Sequence, residues 1–228
     1  MPHFTLPPST NDITLHLFPE RAAYWEAKRT LLVADVHIGK DATFRAEAVP
    51  LPLGSTDSDL QRLSDLILQT GAERLLVLGD LYHARAGMTD GTLAALRAWR
   101  ADHRSLDIVL VRGNHDRDAG ISPPHLEITE HDGPLVEGPF CFRHDPGSSE
   151  DGYVVCGHLH PGVVLRGNGG QRERLACFHA NPSRLVLPAF SEFTGLHILH
   201  PEPGDRVAVV ADTDVIALPV DTVESASP

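Results

Sequence analysis

Lysine is nearly absent from this chain: Lys28 and Lys40 are the two present, so almost all of the 19 Lys+Arg are arginines. Positive charge is itself in the minority, because 31 Asp+Glu leave a formal net charge of -12. So acidic a balance excludes binding nucleic acid by bulk attraction to its phosphates, and any polyanion has to be held locally. Cysteine is equally sparse. Cys141, Cys156 and Cys177 form no CxxC pair and leave one over in any disulfide scheme, the pattern of small buried thiols in a reducing compartment. No apolar run approaches the roughly 18 residues of a membrane span, and the opening MPHFTLPPST has neither the basic segment nor the apolar stretch of a secretory signal. These absences lead to the expectation of a cytoplasmic protein. There is no internal repeat or low-complexity block either, so the 228 residues are expected to form one domain with loose ends, the first dozen residues and the tail after Asp221.

What is present is a series of short Val-, Ile- and Leu-rich runs that stop abruptly at polar or glycine-containing segments: Thr30 to Ala34, Arg74 to Leu78, Asp107 to Val111, Tyr153 to Cys156, and Val163 to Leu165. These read as buried strands. Leu60, Leu63, Leu66 and Ile67 follow helical spacing, with N-caps offered by Ser55 to Asp57 and a stop at Gly71, and a second amphipathic stretch runs from about Asp90 to Ala101. Strand alternating with helix implies parallel pairing in the first half. Beyond about residue 126 the strands are joined by turn signals, Asp132-Gly133-Pro134, Asn168-Gly169-Gly170 and Asp212 to Asp214, which read as a β meander. The fold class expected is α/β: two facing mixed sheets flanked by helices.

Chemistry gathers at the strand ends. Asp35-Val36-His37, Gly79-Asp80, Gly113-Asn114-His115-Asp116 and Gly157-His158-Leu159-His160 each follow an apolar run. One Asp-x-His or one Gly-Asp is commonplace, the latter usually a turn. Four such segments, each at the carboxyl end of a strand where α/β sheets form ligand sites, are not. Carboxylate, imidazole and carboxamide donors without thiolate suit Mn, Fe or Zn in mixed oxygen and nitrogen sites. Two such ions about 3.5–4 Å apart clamp a phosphoryl group and provide a hydroxide for in-line attack.

The order D-x-H, G-D, G-N-H-D, H, G-H-x-H resembles the calcineurin-like metallophosphoesterase superfamily, with its αββα sandwich. The phrases LLVADVHIGKDATFRAEAVPLPLG, VLGDLYHAR, VRGNHDR, VCGHLHPGV and LPAFSEFTG resemble one bacterial branch, the DNA-ligase-associated phosphoesterases encoded beside repair helicase, ligase and exonuclease genes. The likeness spans Leu31 to Gly195 and departs at Ser191-Glu192 and Thr194-Gly195, where a more glycine-rich turn is expected. It implies that Asp35, His37 and His160 hold one ion, that Asn114, His144 and His158 hold a second, and that Asp80 bridges them. His144 rests on an isolated histidine, with His125 and His131 as its competitors. By the same resemblance His115 is the acid that protonates the leaving oxygen, with Asp116 orienting its ring. His83 is a candidate for contact with substrate.

Positive charge near the ligands falls to Lys40, Arg45, Arg85 and Arg117, of which Lys40, Arg45 and Arg117 are the candidate substrate contacts, the first two in a loop after His37 that shows no helical period up to Gly54. Arg166 and Arg172 to Arg174 read as an exposed ribbon and a possible phosphate track. The expectation is a phosphodiesterase using two divalent ions, Mn foremost with Fe, Zn or Co sharing the ligands, acting on DNA as an endonuclease linked to repair. The alternative is a phosphodiesterase or phosphomonoesterase for a nucleotide-sized substrate. A non-catalytic scaffold on this fold is disfavoured by the intact His115.

Overall fold

The computed structural model describes residues 3–5, 13–49, 54–167 and 169–219. Among these residues two sheets are present. The first has seven strands in the order β1 (His3–Thr5), β2 (Thr14–Phe18), β3 (Ala22–Trp25), β4 (Thr30–Val33), β5 (Arg74–Val77), β6 (Asp107–Val111) and β7 (Ile128–His131). From β4 to β7 every pairing is parallel, and the rung Leu31↔Leu75↔Ile108↔Ile128 runs across all four strands. Both faces of the parallel centre of this sheet are covered, so β4, β5 and β6 carry near-continuous apolar runs and do not alternate. Leu31, Val33, Leu75, Val77, Ile108 and Leu110 face the helices. Leu32, Ala34, Leu76, Leu78, Val109 and Val111 face the other sheet.

The crossovers are helical. Leu60, Leu63 and Leu66 of α2 (Ser55–Thr70) and Leu96 of α3 (Asp90–Asp102) supply the buried stripe over the first sheet. Gly71 closes α2 in a left-handed conformation as expected, but its N-cap position falls at Gly54, without a side-chain cap. Thr56 is engaged instead with Asp41 and with the Gly39 amide. The segment after His37 is also not the expected loop: α1 (Lys40–Ala46) occupies it. Its buried face is Asp41, Ala42 and Thr43, so two helical turns form without the apolar period by which a helix is read in sequence.

The second sheet orders β14 (His197–Ile198), β11 (Pro161–Arg166), β12 (Arg172–Ala180), β13 (Arg184–Val186), β10 (Tyr153–Cys156), β9 (Phe140–Phe142) and β8 (Leu135–Glu137), with β15 (Arg206–Ala211) and β16 (Asp214–Leu218) paired beyond β12. It is mixed and not a simple meander, because β10 runs parallel to both β9 and β13. The connection from β9 to β10 has to return along the strand, and that return carries His144. Between the sheets Trp25 packs edge-on against Phe140, ring centroids 4.9 Å apart, within a core that includes Leu15, Phe142, Phe178 and Leu187. Among the described residues no helix follows Pro124–Leu126. Cys141, Cys156 and Cys177 are free and buried, and burial pushes the Cys156 and Cys177 thiols up to about 12. At the termini, His3–Thr5 pairs with β2 and is not loose, while Asn168 and the tail after Asp221 lie outside the described residues.

Candidate active site

Five strand ends, from both sheets, converge at one edge of the sandwich. β4 delivers Asp35 and His37, β5 delivers Asp80, β6 delivers Asn114 and His115, β9 delivers His144, and β10 delivers His158 and His160. Asp35, His37, Asp80, His158 and His160 all adopt the left-handed region, with φ between 48° and 69°. Such a conformation costs a non-glycine residue about 1–3 kcal/mol and clusters where function demands an exact side-chain direction. Here it turns the chain at each strand end. Glycine is required beside these residues for space: Gly79 has φ 84°, and a Cβ on it would run into the His144 ring. A Cβ on Gly113 would meet the Asp80 carboxylate.

The expected ligands form two adjoining triads, Asp35/His37/His160 and Asp80/His144/His158, in each of which ligand atoms lie within 4.8 Å of one another. In the first, Asp35 is fully buried, its Oδ2 accepts the His158 N–H at 2.9 Å, and its Oδ1 has no hydrogen-bond partner. His160 Nε2 lies 3.4 Å from that open oxygen. His37 Nδ1 is likewise buried and unpartnered. Burial, helped by the Lys40 cation, holds the His37 pKa down to about 2, so the ring is neutral and able to ligate. A bare, buried carboxylate oxygen such as Asp35 Oδ1 is costly in a protein interior, and a cation completes it.

In the second triad His144 Nδ1 donates to the Leu78 carbonyl at 3.1 Å, which directs Nε2 at Asn114 Oδ1 (3.0 Å), His158 Nδ1 (2.9 Å) and Asp80 Oδ2 (3.3 Å). A backbone carbonyl fixing one ring nitrogen while the other points at the site is the usual arrangement of a ligating imidazole. Burial lowers the basicity of His144, but the hydrogen bond and charge of Asp80, with Asp35, outweigh it and lift the pKa to about 9. The competitors are elsewhere: His125 accepts from Arg97 on the surface, and His131 ends β7 outside both clusters. Asp80 stands between the triads, its Oδ2 3.7 Å from His37 Nε2 and 3.3 Å from His144 Nε2, while Oδ1 accepts the His115 N–H at 2.9 Å. Burial would raise its pKa, yet His144, His115 and His37 hold it below the ordinary carboxylate value.

Two expectations about neighbouring residues are corrected. Asp116 does not hold the His115 ring: its Oδ2 accepts the Asp80 and Gly113 N–H groups and its Oδ1 that of Tyr82, so it clamps the backbone of two ligand loops together. His115 Nδ1 is 2.7 Å from the His83 carbonyl instead. The His83 ring stacks between His115 (centroids 5.0 Å) and Phe44 (5.6 Å), and His37, His83 and His115 form a third, all-imidazole cluster. Phe44 left no signal in the sequence, because stacking across α1 has no spacing rule. The second correction concerns cations. Lys40 reaches the site, donating to Thr194 Oγ1 at 3.2 Å, with its pKa lowered by burial. Arg45 pairs with Asp41 at 3.3 Å and lines a separate cavity of about 260 Å³ with Thr56, Thr89 and Thr92. Arg117 donates to the Asp132 carbonyl on the surface. Only Lys40 of the three candidate substrate contacts is joined to the ligand loops.

Residues 28–202 match the family model described as calcineurin-like phosphoesterase. The crystal structure of Pseudomonas putida nuclease MPE superposes with a TM-score of 0.82 at 38% sequence identity, over 95% of this chain and 99% of that one. Phosphodiesterase YfcE of Escherichia coli K12 is 26% identical over 140 residues, 56% of this chain and 72% of its own length. The strand-end ligands, the two sheets and these matches lead to one assignment: the chain belongs to the calcineurin-like phosphoesterase family.

Proposed function

We propose that this phosphoesterase is a dinuclear-metal phosphodiesterase that cuts DNA and serves DNA repair in the cytoplasm. The observation that carries the reading is Asp80 between two triads, a carboxylate positioned to be shared by two cations. Asp35, His37 and His160 would hold one divalent ion and Asn114, His144 and His158 the other, with Mn favoured and Fe, Zn or Co compatible with the same donors. When bound, such ions neutralise the phosphoryl oxygens and make water acidic enough to supply a nucleophile near neutral pH. The chain's own part lies with His115. As an imidazolium it donates through Nδ1 to the His83 carbonyl and through Nε2 to the departing oxygen, and stacking on His83 keeps the ring from rotating. Lys40 adds a cation for a phosphate beside the one that is cut.

DNA as substrate is supported by the likeness to the Pseudomonas putida nuclease over nearly the whole chain. The branch-level resemblance adds repair helicase, ligase and exonuclease as the partners to test. A nucleotide-sized substrate is favoured by one observation, that Arg45 and Arg117 are engaged away from the ligands. A panel with added Mn separates the two: supercoiled plasmid, short single and double strands, cyclic nucleotides, and an aryl phosphodiester beside its monoester. Nicking of plasmid or scission of strands is expected. Turnover confined to cyclic nucleotides or monoesters would overturn the DNA reading.

A further inference from the structure

Single apolar side chains on a surface are ordinary, but Phe193 occupies an unusual place. Its loop leaves one proposed ligand and arrives at another: Ser191 N donates to the Asp35 carbonyl at 3.3 Å, and His197 N donates to the His160 carbonyl at 3.0 Å. Between those anchors Glu192 and Phe193 form the turn, and Phe193 is 41% exposed. The loop is held on its other sides as well. Arg21 donates to the Ser191 carbonyl at 3.0 Å, Arg62 donates to the Phe190 carbonyl at 3.1 Å, and Lys40 reaches Thr194, the next residue along the loop. A loop anchored to two proposed ligand segments, with an exposed aromatic residue beside the threonine that Lys40 reaches, has the two parts of a single-strand binding surface: a ring on which any base can stack and a charge for the adjoining phosphate.

The geometry points to Phe193 as a base-stacking contact that selects strands with an unpaired base beside the scissile phosphate. This rests on the DNA reading above. Paired bases are already stacked on their neighbours and offer no free face, so the contact favours single-stranded or frayed DNA over intact duplex.

The test compares wild type, Phe193→Ala and Phe193→Trp, each loaded with Mn, on three substrates: a single-stranded oligonucleotide, the same strand with abasic residues flanking the cut, and a duplex. Phe193→Ala is expected to lower kcat/KM on the natural single strand about tenfold or more, chiefly through KM, and Phe193→Trp to restore it. Removing the flanking bases should cost wild type a similar factor. The alanine variant should lose nothing further on the abasic strand, since each change deletes one half of the same contact. Equal losses on natural and abasic strands, or no loss on either, would overturn the stacking role while leaving the DNA reading intact. If wild type cuts no strand but turns over an aryl phosphodiester, the DNA reading itself fails, and the stacking role with it.

Discussion

His115, held by the His83 carbonyl and stacked on the His83 ring, is the proposed proton donor, and the two side chains are testable one at a time. His115 touches no proposed ligand through its ring nitrogen Nδ1, which is held by the His83 carbonyl, so His115→Ala should keep its metal. It should lose about 10²–10⁴-fold on a DNA strand, whose sugar alkoxide needs a proton to leave, and far less on a nitrophenyl diester. Equal losses on both esters, with metal gone, would make His115 structural. The imidazoles also set how stability of the metal-free protein depends on pH. Burial, reinforced by Lys40 for His37 and by His115 for His83, holds these rings down to about 2 and about 4, so below about pH 6.5 the unfolded chain takes up protons that the fold refuses, and stability falls. His144 acts in the opposite sense. With its pKa lifted to about 9, its contribution is complete below about pH 6.5 and is lost as pH rises toward 9. Metal-free protein should therefore be most stable near pH 6.5 in urea denaturation, and saturating Mn, which binds the neutral ring, should remove the alkaline decline. A flat profile between pH 5 and 9 without metal would contradict these assignments. At this scale the proposed ligands were legible as a set because carboxylate, imidazole and carboxamide side chains repeated at strand ends suit a metal centre and little else. The partner of the His115 ring was not, since a backbone carbonyl from another loop leaves no trace in sequence.

Elements were legible where burial imposes a period. β4, β5 and β6 are apolar on both faces and α2 carries a clear stripe, so these could be read, whereas β7, with Thr129, Glu130 and His131, could not. α1 could not, because its buried face includes Asp41 and Thr43. The parallel pairing of β10 could not either, because adjacency in a sheet is decided by the return path of the chain and not by composition. The strand ends themselves make a prediction. Gly79→Ala places a methyl group against the His144 ring on a backbone with φ 84°, so it should displace His144, reduce bound metal from two equivalents toward one, and destabilise the fold by more than about 1 kcal/mol. Metal analysis alongside denaturation checks both parts. A variant with full metal content and unchanged stability would show that the β5 end does not position His144.

At the level of the whole molecule the formal charge of -12 becomes -8 with two divalent ions, still repulsive toward DNA, so attraction has to be local. Of the three candidate contacts, Lys40 is tied to the loop between the ligand segments, while Arg45 pairs with Asp41 and Arg117 with the Asp132 carbonyl. Lys40→Ala should accordingly lower the salt dependence of DNA binding by up to about one unit in the slope of log affinity against log salt, and Arg45→Ala should leave it unchanged. The reverse pattern would move the phosphate path toward the cavity between α1, α2 and α3. Beneath all of this lies the claim that one carboxylate joins two metal sites across the mouth of the sandwich, and the most direct measurement is metal stoichiometry, by mass spectrometry of the purified protein equilibrated with Mn, for wild type and Asp80→Asn. Wild type should hold two equivalents, and Asp80→Asn should lose more metal and more phosphodiesterase activity than a variant of any outer ligand such as His160→Ala. One equivalent or none in wild type, or an Asp80→Asn protein that keeps two equivalents and near-normal turnover, would contradict the account.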